Sequence, residues 1–337
     1  MDDISEIAKH ILHEAFRNNV TDIHFHPLEN NVTIYFRILG KRKQYKRIST
    51  KSYQQLLLYF KFSSGMDIGE QNLPQNGTMT ININHSASYF LRLSTLPSLQ
   101  NESLAIRVLP QHEEFTKDNL FVFKKQIDKM FSWFTYEHGL ILFSGKTGSG
   151  KTTTMYTLLQ NVVKEQSFQV ITLEHPIEKN IPNIIQVEIN ENAGLTYEKG
   201  LKAVLRHDPD IILVGEILDE YTAKFALHAA RTGHIVLSTI HANNTTGTVD
   251  RLLSMGINKV DLTQSLIAIT SLQLIPIHFG IHKERRAAIA EMLYGDSLKE
   301  YIHTGDIKKR RFLSFNHLRK KAYAYGFLSK DKITFSK

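Results

Sequence analysis

The sequence predicts an α/β chain in two parts, a small α+β domain followed by a larger domain built on a parallel sheet. Two observations carry that prediction. From about residue 120 onward, strand-like apolar runs alternate with helical patterns, the arrangement that builds a parallel sheet. One strand-to-helix junction reads Gly145-Lys146-Thr147-Gly148-Ser149-Gly150-Lys151-Thr152, the spacing of a phosphate-binding loop.

In the first part, Ile4, Ile7, Ala8, Ile11, Leu12 and Ala15 fall on one face of a helix over residues 4–18. Residues 20–27 and 32–38 read as strands joined at Asn30-Asn31, which makes a hairpin. His24 and His26 share one face of the first strand. With no third ligand nearby they read as structural, not as metal ligands. Residues 52–63 predict a second helix, 66–77 a polar loop, and 78–84, 88–94 and 104–109 further strands. Residues 1–110 thus form the α+β domain, 111–118 a polar linker, and 119–337 the second domain.

The second domain opens with a helical pattern over residues 120–135, then the buried strand 139–144. Glycines in the next turn let backbone N–H groups curl round an anion, and the following helix adds the partial positive charge of its N-terminus. Lys151 can reach β- and γ-phosphates, and the Thr152 hydroxyl suits Mg²⁺. Residues Gly145, Lys146, Thr147, Gly148, Ser149, Gly150, Lys151, Thr152 and Thr153 are therefore the expected nucleotide cradle.

Further strands are expected at 168–173, 211–214 and 234–239, with helices at 197–206 and 219–230 between them. Together these describe a RecA-like P-loop domain. Ligands of such sheets sit at the C-terminal ends of the strands, where Glu174, Glu216 and His241 fall. Glu216 directly follows an apolar strand, where a P-loop ATPase places its water-activating carboxylate. The familiar Asp one position earlier is Gly215, so Mg²⁺ must find carboxylates elsewhere. Glu174 is the first candidate and Glu178 the second.

Composition narrows the class. The chain has 337 residues, no cysteine and a net charge of +8. Disulfides and Cys-ligated zinc are excluded. The start, Met1-Asp2-Asp3-Ile4-Ser5-Glu6, is unlike a signal peptide, and no apolar run approaches the roughly 18 residues of a membrane span, so a cytoplasmic protein is expected. Lys299 to Lys337 holds 11 Lys/Arg against 3 acids, an excess equal to that of the whole chain. Such a basic tail either solubilises the end or meets an anionic partner.

The motifs together resemble the secretion-superfamily ATPases of the type II secretion and type IV pilus assembly group. Gly145 to Thr152 is similar to their Walker A. Residues 172–178 resemble their Asp box with His175 in place of Asp. Leu205-Arg206-His207-Asp208-Pro209-Asp210 through Gly215-Glu216-Ile217 resembles their unusual Walker B, and Thr232-Gly233-His234 through His241-Ala242-Asn243 their His box. Thr21-Asp22-Ile23-His24, Arg37-Ile38-Leu39-Gly40, residues 66–77 and residues 91–97, with Glu102 and Arg107, match segments of the family's N-terminal, PAS-like domain. Leu218 and Tyr221 depart from it, standing where Arg and Glu are usual. The short N-terminus and missing cysteines resemble the competence ATPases of Gram-positive bacteria, which serve a DNA-uptake pseudopilus.

The resemblance implies a Mg-ATP hydrolase working as a homo-hexamer. Arg92 and Arg107 of the N-terminal domain would face the γ-phosphate. An inner-membrane platform protein would receive the motion, with peripheral membrane association and no direct nucleic-acid binding. Three other readings stay open: a weak ATPase that regulates interactions, a retraction motor, and a nucleic-acid translocase. The last is disfavoured by the charge-neutral core and the lack of an aromatic-plus-basic pattern.

Overall fold

The computed structural model describes residues 2–84, 87–99, 101–110, 116–190, 193–279, 283–307 and 312–329. The linker residues 111–115, and residues 308–311 and 330–337 of the basic tail, lie outside the described residues. The chain divides into two compact units, Met1–Glu113 and Glu114–Lys337.

In the first unit, helices α1 (Asp2–Arg17) and α2 (Thr50–Ser63) cover one face of a six-stranded antiparallel sheet. The strands are β1 (Asp22–Pro27), β2 (Asn31–Ile38), β3 (Lys41–Ser49), β4 (Gln75–Asn84), β5 (Ala87–Leu96) and β6 (Ser103–Pro110), in the order β3-β2-β1-β6-β5-β4. Ala8, Ile11, Leu12 and Ala15 of α1 meet Tyr53, Leu56 and Phe60 of α2 over Ile23, Phe25, Ile34, Phe36, Leu91, Leu93 and Ile106. Strand side chains alternate between faces, so Asp22, His24, Arg37, Arg92 and Arg107 occupy the opposite face. Ser49 caps α2 by accepting the Ser52 N–H at 3.1 Å. Strand β3 has no counterpart in the sequence reading. It is an exposed, basic edge strand.

The second unit holds a seven-stranded sheet. Its strands are β7 (Gly139–Ser144), β8 (Val170–Glu174), β9 (Ile185–Glu188), β10 (Ile211–Val214), β11 (Ile235–Ile240), β12 (Leu266–Phe279) and β13 (Lys283–Tyr294). The order is β13-β12-β7-β11-β10-β8-β9; all neighbours run parallel except β12 and β13. β7, β8, β10 and β11 are buried along their whole lengths, which is why they read as continuous apolar runs. Helices α3 (Lys124–Phe131) and α4 (Lys151–Glu165) cover one face. α5 (Tyr197–Val204), α6 (Glu220–Arg231), α7 (Thr245–Ser254), α8 (Lys259–Ser265) and α9 (Gly295–Thr304) cover the other. α10 (Phe315–Ala324) packs its apolar face on β12 and β13.

The helix expected over residues 120–135 is shorter. The Leu120–Val122 backbone pairs with Ala288 (Val122 N to Ala288 O and Ala288 N to Leu120 O, each 2.9 Å), so helix begins only at Lys124 and ends in a 3₁₀ turn, Ser132–Thr135. No helix of the described residues is long and apolar enough to cross a membrane.

Candidate active site

The phosphate loop begins where β7 ends. At Gly145, φ is +138°, and a Cβ would lie 2.7 Å from both Leu272 O and Ser149 Oγ. No side chain fits between the loop and β12, which explains glycine there. Gly150 takes the N-cap position of α4 in the left-handed region, and the helix starts at Lys151. The Lys151 ammonium folds back on the loop, donating to Gly145 O at 2.8 Å and Lys146 O at 3.3 Å. Burial pulls its pKa below the ordinary lysine value, while the Glu216 and Glu178 carboxylates oppose that shift. Under the loop, Ser144 Oγ contacts Ser271 Oγ and accepts from Thr248 Oγ1 at 2.9 Å, tying β7 to β12 and α7.

Glu174 ends β8 and is buried. It accepts from Tyr156 Oη, from Thr172 Oγ1 at 2.5 Å and from Gln186 Nε2 at 3.1 Å. Tyr156 stands one helical turn after Thr152 on α4, on the same face. Glu174 is thus held beside the Thr152 end of the loop by neutral donors that engage both its oxygens. That donor set suits contact with a hydrated ion better than direct ligation. Glu178 is half-buried, and Lys151 and Tyr156 both feel its charge. Burial raises the Tyr156 phenol far above its ordinary value, with Glu174 adding to the shift, so it stays a donor.

Two parallel strands bring Glu216 and His241 together. Val214 and Ser238 are in register on β10 and β11. The pairing continues past β10, with Ile217 N donating to Thr239 O and Thr239 Oγ1 to Gly215 O, both at 2.8 Å. This fixes Glu216 opposite His241, with His241 Nε2 2.7 Å from Glu216 Oε1. The contact is at ion-pair distance but lacks the alignment of a hydrogen bond.

Gly215 has a steric cause. A Cβ there would lie 3.1 Å from Leu173 O, 3.3 Å from Tyr197 Oη and 3.5 Å from Glu174 Cα. The place of the missing aspartate is filled by the end of β8 and by Tyr197. Burial, with Glu216 and Glu174 adding to it, pushes the Tyr197 phenol up to about 12. Sequence reasoning placed Tyr197 on a helix but not at the site. Tyr156 was likewise missed, although its spacing from Thr152 was available as a signal.

The departures from the family pattern sit at the margin. His175 is exposed, with Nδ1 3.0 Å from Ile189 O, and Leu218 and Tyr221 are exposed. In the first unit, Arg92 lies directly opposite Arg107, and Arg107 opposite Asp22. His24 Nε2 is buried without a hydrogen-bond partner among the described residues.

Residues 2–280 match the model of the family described as Type II/IV secretion system protein. The chain belongs to that family. As a secretion-family ATPase it binds nucleotide and hydrolyses ATP. It is 38% identical to Competence protein ComGA of Bacillus subtilis, over 98% of this chain and 96% of that protein. To Competence protein ComGA of Halalkalibacterium halodurans it is 40% identical, over 93% of this chain and 95% of the relative. Type II secretion system protein E of Pseudomonas aeruginosa is 34% identical over 81% of this chain, which spans about half (54%) of that longer protein. Among solved structures, the pilus retraction motor PilT with bound ADP superposes with a TM-score of 0.72 at 25% identity, over 96% of this chain and 95% of its own. The Legionella pneumophila ATPase DotB shares the fold, with a TM-score of 0.77 at 20% identity over 97% and 94%.

Proposed function

We propose that this secretion-family member is a Mg²⁺-dependent, hexameric ATPase that powers assembly of a competence pseudopilus, a type IV pilus-like machine for DNA uptake. The observation that carries the reading is near-full-length similarity to two competence proteins. It would act at the cytoplasmic face of the membrane, passing its motion to an inner-membrane platform protein without binding nucleic acid itself.

The site supplies the steps. Residues Gly145 to Thr153 cradle the β- and γ-phosphates, and Lys151 exchanges its two loop carbonyls for phosphate oxygens. Thr152, with Glu174 and Glu178 acting through water, would hold Mg²⁺. The ion supplies charge neutralisation between the phosphates. Glu216, oriented by His241, takes the proton of the attacking water as the bond from the γ-phosphorus to the bridging oxygen breaks. Arg92 and Arg107 of an N-terminal domain place positive charge on the γ-phosphate, an effect worth roughly 10³–10⁵ in rate. Arginines carried on a separate domain couple phosphate state to domain motion.

A second reading, a retraction motor, is favoured by the 25% identity to PilT. Deleting the chain separates the two. Loss of both pseudopilus assembly and DNA uptake supports an assembly motor. Filaments that persist but no longer retract overturn it.

A further inference from the structure

The register of the first unit lines up one row across its sheet. Arg42 of β3 faces Arg37 of β2, Arg37 faces Asp22 of β1, Asp22 faces Arg107 of β6, Arg107 faces Arg92 of β5, and Arg92 faces Thr78 of β4. This row lies on the face that α1 and α2 leave open. One carboxylate therefore stands among four arginines, and its contacts are specific. Asp22 Oδ1 accepts from Arg107 Nε at 2.9 Å, and Oδ2 accepts from the Thr21 hydroxyl at 2.9 Å. Arg37 Nε lies 3.5 Å from Oδ2, while Arg37 Nη1 is turned away to Gly40 O at 3.1 Å.

The two ends of the Arg107 guanidinium differ. The Asp22 side chain is only 12% exposed and that of Arg107 47% exposed. Asp22 grips Arg107 by Nε, the edge nearest the backbone. Among the described residues the two Nη groups meet no protein acceptor. A guanidinium fixed by Nε presents its Nη edge in one orientation, and that edge matches two oxygens of a phosphate. A carboxylate placed across the Nη fork would compete with phosphate. Placed on Nε, it aims the fork and lowers the side-chain entropy lost on binding.

We propose that Asp22 is the positioning residue for Arg107, holding its guanidinium by Nε so that the Nη pair is presented to the γ-phosphate. The inference rests on the reading above that Arg107 serves the phosphate. It adds a residue that reaches the reaction only through another side chain. Thr21 takes part by holding the second oxygen of the same carboxylate.

The test compares the full chain with Asp22→Asn, Asp22→Glu, Arg107→Ala and the Asp22→Asn/Arg107→Ala double variant. The readouts are steady-state ATP hydrolysis and the affinity for a fluorescent ADP, with melting temperatures as the check on folding. Asp22→Asn keeps shape but loses charge, so kcat should fall about tenfold while ADP affinity stays within about twofold. Asp22→Glu, which keeps the charge, should recover part of the rate. In the Arg107→Ala background the Asn substitution should cost nothing further, because the group it aims is gone. A multiplicative loss in the double variant, with Arg107→Ala itself slow, leaves the phosphate role of Arg107 standing and overturns the positioning role alone. So does a loss of ADP affinity equal to the loss of rate. A wild-type rate in Arg107→Ala removes the phosphate role and, with it, this inference.

Discussion

His241 Nε2 lies 2.7 Å from Glu216 Oε1. The two residues are 25 positions apart and meet because β10 and β11 run parallel in register and remain hydrogen-bonded past the end of β10. On the function proposed above, His241 would orient Glu216 as the general base. His241→Ala should lower kcat by about 10- to 100-fold with little change in nucleotide affinity. His241→Gln, which keeps an N–H donor, should retain more activity than Ala. Stopped-flow binding beside steady-state turnover checks both. Equal loss of affinity would assign His241 to ground-state binding.

Gly215→Ala adds a Cβ 3.1 Å from Leu173 O and 3.3 Å from Tyr197 Oη. Backbone on one side and a half-buried phenol on the other leave little room to relax. The variant should lose ~1–3 kcal/mol of stability in denaturant unfolding. Displacement of Glu216 should cost turnover on the order of 10- to 100-fold. Adding Tyr197→Phe, which removes the phenolic oxygen, should recover part of the stability. A double variant no better than Gly215→Ala would show that Leu173 O is the dominant clash.

Lys61 and Glu102 form a fully buried pair at 2.6 Å, with side chains 1% and 5% exposed. Lys61 Nζ also donates to Glu70 O at 2.6 Å, and Tyr53 Oη to Glu102 O at 2.6 Å. Removing one partner leaves the other charge buried, so Lys61→Met should cost ~3–5 kcal/mol. The double change Lys61→Met/Glu102→Leu should cost less than that single change. Urea melts of the full chain decide it.

Burial depresses the His24 pKa below its ordinary value, and Arg37, Arg42 and Arg107 depress it further against the pull of Asp22. A folded-state pKa below the unfolded one means that the unfolded chain binds the extra proton first. Stability should therefore fall as pH drops below the ordinary histidine value of about 6.5 and level off only below the folded pKa. His24→Gln should flatten that dependence. Melting temperatures at about pH 7.5 and about pH 5.5 measure it, and an unchanged slope in the variant would assign the dependence to other groups.

The parallel core was legible because β7, β8, β10 and β11 are buried on both faces and so read as unbroken apolar runs. The phosphate loop was legible because its chemistry is local. Lys41-Arg42-Lys43-Gln44-Tyr45-Lys46-Arg47 was not read as a strand. It lies at a sheet edge and is exposed apart from the half-buried Tyr45, so lysine and arginine shield the open backbone and leave no apolar alternation. Whole-chain charge bookkeeping hid it as well, since its cations are balanced by acids elsewhere before residue 299. The four-residue strand β9 escaped for a similar reason, being only half covered. Tyr197 beside Gly215, and Asp22 on Arg107, join residues 18 and 85 positions apart. Those contacts exist only once the strands are in register, so no spacing rule reaches them.

On the function proposed above, Glu216, just past the end of β10, is the base of the ATP-hydrolysing site, and single-turnover hydrolysis by Glu216→Gln decides that role. The variant should bind ATP with near-wild-type affinity and hold it unhydrolysed, with turnover down by about 10²–10⁴. Hydrolysis of bound ATP at the wild-type rate would contradict the assignment.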